Sequence, residues 1–207
     1  MHDVKKRLNQ IYRLLDIVEG NFEKLNQIHK YLNIAEDSSE KPNDISIGLK
    51  KSFETDLRSF LMYLAASDGR ISRVEKEFMN ELFDVDMSTQ DYADFINTNE
   101  IYSTKFEESL PPTLKVTIAF DKKFQTAAIE ADQSVDMVTM TILSFYAELG
   151  EMFINLEGAS ENEEDDLNLI LHNFMAKWRM EWGLSEEESL DEEEEDAVIV
   201  GGKKQNS

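Results

Sequence analysis

Five carboxylates in this chain flank two places where a glycine ends one helical stretch and a serine opens the next. Asp68 and Glu75 stand around Gly69, and Glu157, Glu161 and Glu164 around Gly158. Clustered carboxylates suit a hard divalent cation, calcium first, because such ions take about six to eight oxygen ligands. The same groups have a second use. Acidic side chains at a helix start complement its unpaired backbone N–H groups and the positive end of its dipole. On residue types alone both uses stand.

The bends themselves follow a local grammar. In Leu61-Met-Tyr-Leu-Ala-Ala-Ser-Asp-Gly-Arg-Ile-Ser-Arg-Val-Glu75, Gly69 closes a helix at its C-terminus, where a left-handed residue is needed and a Cβ would clash. Ser72 and Glu75 have capping-box spacing: the hydroxyl accepts from the N–H three residues on, and the carboxylate reaches back to the serine N–H. The pattern returns with Gly158, Ser160 and Glu163, in a loop one residue shorter. Counted from the cap, Met79, Leu82 and Phe83 correspond to Leu167, Ile170 and Leu171. Two related helix-turn-helix halves are expected. An EF-hand is not, since the upstream ligand positions fall on Leu64 and Ala66, which offer no side-chain oxygen.

The run Ala66-Ser67-Asp68-Gly69-Arg70-Ile71-Ser72-Arg73-Val74-Glu75 resembles the tellurite-resistance TerB-like domains: an apolar helix, Asp-Gly, an apolar residue, Ser, and Glu three residues later. The second elbow carries Glu157 in place of Asp68. The resemblance implies an all-helical domain of two related halves. It implies acidic elbows that take a divalent cation, here Asp68, Glu75, Glu157, Glu161 and Glu164. It also implies an accessory role in stress-response assemblies rather than catalysis.

The elements that would position these bends read as helices throughout. Val4, Leu8, Ile11, Leu15, Val18, Phe22, Leu25, His29 and Leu32 alternate spacings of four and three, a heptad seam over residues 1–34. Tyr12, Leu14, Ile17 and Ile28 widen that seam, which favours packing on the chain's own core; homo-oligomerisation through residues 4–32 is the alternative. A polar linker covers 35–46, and the helical domain runs over 47–183. Within it, Phe53, Leu57, Phe60, Leu61 and Leu64 mark a helix ending near Ser67, and Ser72 opens the next. Ser88-Thr-Gln-Asp91 starts a shorter helix, and Thr113 to Glu130 follows Pro111-Pro112. Val116–Phe120 has strand propensity as well. A long apolar helix is expected over Val135–Leu156, and a last one after Gly158 with Trp178 and Trp182 on its apolar face. Residues 184–207 read as a disordered acidic tail, in which Val198-Ile199-Val200 has the composition of a β-augmentation peptide.

Composition narrows the function classes. A formal net charge of −22 argues against direct nucleic-acid binding, which needs clustered Lys and Arg; an acidic mimic of nucleic acid is a minor alternative. There is no cysteine, so disulfide and thiolate chemistry are excluded. His2, His29 and His172 are not at metal-ligand spacing, and His29 falls on the heptad seam as a packing residue. No phosphate loop or nucleophile elbow occurs. Lys5, Lys6 and Arg7 precede no apolar h-region, and the longest apolar stretch, Leu61–Ala66, is too short to span a bilayer. The expectation is a cytoplasmic, non-enzymatic, all-α module that binds partner proteins, with an oligomeric coiled-coil scaffold as the rival.

Overall fold

The computed structural model describes residues 2–35, 44–67, 71–97, 109–130, 138–156 and 161–182, with side chains given for most of them. They form an all-α bundle: α1 (His2–Ala35), α2 (Ser46–Ser67), α3 (Arg73–Phe83), α4 (Thr89–Asn97), α5 (Pro112–Glu130), α6 (Val138–Ile154) and α7 (Glu161–Trp182). No strand occurs among the described residues, and Val116–Phe120 lies inside α5. Its strand propensity loses to tertiary context. Leu114 and Ile118 are buried one turn apart on one side of that helix, while Val116 is exposed. Ala35 and Ser46, read as linker ends, belong to α1 and α2; residues 135–137 of the helix expected from Val135 lie outside the described residues. The tail 184–207 lies outside the described residues, as do Asp68–Arg70 and Glu157–Ser160 of the two bends.

The core is built around α2 and α6, which run side by side in the same direction. Phe53 meets Phe145 and Tyr146 edge-on at 5.4 and 5.8 Å, and two turns later Phe60 lies against Gly150. The other long helices run against this pair. On α1, Phe22 meets Phe53 at 5.6 Å, and Arg7 Nη1 donates to the Met152 carbonyl at 3.1 Å. On α7, Trp178 packs on Tyr146 at 5.1 Å and Phe174 on Tyr63 at 5.4 Å. Edge-on ring pairs of this kind add about 0.5–1.5 kcal/mol each beyond the area they bury. The C-terminal ends of α2 and α6 therefore share one end of the bundle.

The heptad seam of α1 packs inward. Leu8, Ile11, Val18, Phe22 and Leu25 are all buried in the chain's own core. An intermolecular coil through these residues would require α1 to leave the body. His29 sits edge-on to Phe120 of α5 at 6.1 Å, a packing role as expected from its place on the seam. Trp178 is fully buried, in agreement with core packing.

Both helix pairs place the corresponding residues on the core: Met79 and Leu171 are buried in it, and Leu82, Phe83, Leu167 and Ile170 are partly buried against it. The pairs also differ in how closely their helices approach. Gly150 stands eight residues before Gly158, where Leu61 stands before Gly69. A Cβ at Gly150 would lie 2.7 and 2.9 Å from the Leu171 methyls and 3.3 Å from Phe60, so its absence lets α7 approach α6 closely. Among the described residues no helix is long and apolar enough to cross a membrane.

Gly150 and Gly20 should respond oppositely to substitution. Gly150→Val overfills the α6–α7 contact and should lower unfolding free energy by about 1–3 kcal/mol. Gly20 is helical with nothing within 4 Å of a Cβ, so Gly20→Ala should add up to about 1 kcal/mol from helix propensity. Urea denaturation of both variants checks the pair; a destabilised Gly20→Ala would contradict the open surface seen there.

Candidate functional site

Of the five elbow carboxylates, Glu75 alone has a described side chain. Asp68 and Glu157 lie outside the described residues, and Glu161 and Glu164 are within α7 but their side chains are not described. Glu75 closes the expected capping box: its Oε2 accepts from the Ser72 N–H at 2.8 Å, and the Glu75 N–H donates to Ser72 Oγ at 3.1 Å. A cation at this carboxylate would compete with that N–H. Among the described residues no three His, Asp or Glu side chains come together in a way that could hold a metal ion.

The same box recurs at the start of α4, where no elbow precedes it. Asp91 Oδ2 accepts from the Ser88 N–H at 2.7 Å and from its hydroxyl at 2.6 Å, and these bonds hold the Asp91 carboxyl below its ordinary value. Serine with an acid three residues on is a general device for starting helices in this chain.

Two further carboxylates start helices from inside the core. Asp56 of α2 is 2% exposed, and its Oδ2 accepts from the Thr113 N–H in the first turn of α5 at 2.8 Å. Asp121 of α5 is 3% exposed and accepts from the N–H groups of Val138 and Thr139, at 3.2 and 2.8 Å, where α6 begins. Asn26 of α1 plays the same part toward α2, accepting from the Ile45 N–H at 3.1 Å. Helix-start N–H groups have no intrahelical acceptor, and buried ones must find one elsewhere. The signal was present in the sequence. Asp56 lies among Phe53, Leu57 and Phe60, and Asp121 lies between Ile118 and Phe124 at helical spacing. An acid on an apolar stripe needs a buried donor. Tyr146, whose phenol is pushed well above its ordinary range first by burial and then by Asp56, belongs to the same interior. Neither Asp56 nor Tyr146 lines the surface grooves described next.

Two adjoining grooves open beside α3, the first lined also by α1 and α2 and the second by α1. One, of about 290 Å³, has a floor of Leu15, Phe53, Leu57, Leu82, Phe83 and Phe145. Lys50, Lys51 and Glu54 stand on its α2 side, Glu19 on α1 and Asp84 at the end of α3, with Lys50 paired to Glu19 and Glu23. The Arg58 guanidinium lies 5.0 Å from the Phe83 ring centre and holds that ring in place. The second groove, of about 550 Å³, carries Glu77, Glu81, Asp84 and Asp86 together with Lys5 and Lys76. Asp84 belongs to both.

Asp84 is unusual in conformation and in charge. It caps α3 with φ 49° and ψ 50°, a left-handed position that Asp tolerates better than most residues but glycine fills at less cost. Its carboxylate stands at the negative end of the α3 dipole, and the last turn of α3 has no basic residue. The local field is felt across the groove. Tyr12 donates to the Glu81 carbonyl at 2.8 Å, and its phenol is pushed up by burial, then by Glu81 and Asp84. Asn80 fixes the chain beyond the cap, exchanging hydrogen bonds with both backbone groups of Met87 and accepting from the Tyr92 hydroxyl. The sequence offered a signal here too. α3 ends without a glycine, so its left-handed cap falls to Asp or Asn, and Asp84 follows the last apolar residue. No family model, curated protein or solved structure matches this chain.

Burial pushes the Asp56 carboxyl up, against the pull of Thr113 and Lys115. A raised folded-state pKa means that the native protein keeps a proton the unfolded chain has released. Stability therefore falls as pH rises from the ordinary carboxyl value toward the folded one, and the deficit is complete above it. Asp56→Asn removes that deficit, so its stability relative to the parent should be greater at pH 7 than at pH 3.5. Asp56→Ala strands the Thr113 N–H and should cost about 1–3 kcal/mol. Urea melts at both pH values check the two; a parent–Asn difference that does not change with pH would contradict the raised pKa.

Proposed function

We propose that this chain is a non-enzymatic, cytoplasmic protein-binding module of TerB-like type, and that it docks its partner on the face where the two grooves meet. One observation carries the reading: an apolar-floored groove opens beside a carboxylate-lined one, with Asp84 common to both. Apolar recesses beside a charged rim are the anatomy of a peptide-binding surface, the floor supplying affinity and the rim supplying orientation. The complementary partner is a protein segment with two or three apolar side chains close to lysines or arginines. The likeness around Asp68–Glu75 supports an adaptor role of the stress-response kind.

The reading extends to a divalent cation, calcium, at the elbow carboxylates Asp68, Glu75, Glu157, Glu161 and Glu164. It rests on their residue types and on the shared end of the bundle to which α2 and α6 deliver the chain. Calcium calorimetry on the full chain should give heat and a raised melting temperature. A flat titration removes the cation and leaves protein docking untouched.

Selection of random twelve-residue peptides against the full chain tests the docking face. Enriched peptides should join an apolar run to basic residues and should shift the amide resonances of Leu82, Phe83 and Asp84. Asp84→Lys should weaken them roughly five- to tenfold, the size expected of one exposed charge reversal. Peptides without basic residues, or binding indifferent to Asp84→Lys, would overturn the reading.

A further inference from the structure

The grooves have an occupant of matching chemistry in this chain. We propose that residues 196–204 of the same chain bind across them, Val198-Ile199-Val200 over the apolar groove and Lys203-Lys204 against the carboxylates at the end of α3. This rests on the docking reading of that face and adds that the chain screens the face itself, so that a partner must displace its own tail.

The carboxylates at the end of α3 complement the lysine pair of the segment. The apolar groove has Lys51 and Glu54 on its α2 side, and Asp84 at its α3 side with Asp86 and Glu81 beyond. In the segment the apolar triplet comes first, and Lys203 and Lys204 follow it. Charge complementarity thus places the lysine pair against the carboxylates at the end of α3. Gly201-Gly202 separates the triplet from the lysines, and Val200 to Lys203 spans up to about 10 Å, a step from one groove into the adjoining one. A lysine pair at the end of α3 also meets the negative end of a helix dipole.

The chain is long enough. Val198 is sixteen positions beyond Trp182, the end of α7, a contour of about 50 Å, whereas a body of this size is about 40 Å across. The starting point is favourable too. Trp178, one turn before that end, packs on Tyr146, and the neighbouring Phe145 is part of the groove floor. Tethering at this range supplies an effective concentration on the order of millimolar, so a contact too weak to hold a free peptide fills the groove in cis.

The chain contains no cysteine, so Ser207→Cys gives a single attachment point for a nitroxide on the full-length protein. Amide signals of Leu82, Phe83 and Asp84 should be lost in the labelled protein, while those of Asp165 and Asp166 at the start of α7 persist. Ile199→Asp should restore the lost signals, and so should Lys203→Glu combined with Lys204→Glu. Neither change touches the folded body. Broadening spread evenly over the surface, or broadening that survives both changes, overturns the proposal. A mixture of nitrogen-15 protein with unenriched labelled protein separates the remaining occupant: signal loss in that mixture assigns the groove to a second copy's tail and overturns binding in cis. Peptides selected to the same face, with the tail elsewhere, would leave docking standing and remove self-occupation alone.

Discussion

Thr113, Val138 and Thr139 begin helices inside the protein, where water does not reach their backbone N–H groups, and Asp56 and Asp121 supply the acceptors. A helix start in an apolar interior leaves donors whose desolvation costs about as much as a lost hydrogen bond each, so the position of each start is set by where a carboxylate stands. Asp56 ties α5 to α2, and Asp121 ties α6 to α5. The order of the bundle follows from this relay. Apolar packing alone would tolerate a slide of one helix along another; a buried carboxyl group with a single donor set does not.

With α2 and α6 registered in this way, the aromatic side chains fall into one connected set. Phe53 touches Phe22, Phe145 and Tyr146, and Trp178 touches Tyr146, Phe60 and Phe174. α1 lies along the outside of this set, buries its seam and meets α3 through Tyr12. The grooves are what this arrangement leaves over. α3 is short, so Leu82 and Phe83 reach only part of the floor that α1 and α2 expose. Its early end places Asp84 at the rim.

The elbow chemistry looks different once the capping bonds are in view. Ser72 with Glu75 and Ser88 with Asp91 make the same reciprocal pattern in different settings. In this acidic chain the pattern serves first to start helices. Cation chemistry at the elbows would have to draw on carboxylates besides Glu75, or take Glu75 from its N–H. The charge of the protein has its more specific expression at Asp84, where the negative end of α3 and a cluster of carboxylates adjoin an apolar recess.

Helix positions were legible in the sequence because they depend on near neighbours. The box at Ser72 and Glu75, the start at Ser88 and the seam of α1 are patterns within a turn or a heptad, and periodicity and capping report them directly. Val116–Phe120 misleads at this level, since its intrinsic preference is weaker than the apolar spacing of the helix containing it. Only the tertiary structure decided which acids are buried, which glycine admits a neighbouring helix and which surfaces stay open. Asp56 and Thr113 are 57 residues apart, and Gly150 and Leu171 are brought together by a change of chain direction. Asp84 draws its setting from three helices at once. Such partnerships arise from packing between distant segments, and a one-dimensional pattern carries the need for a partner without naming which residue meets it.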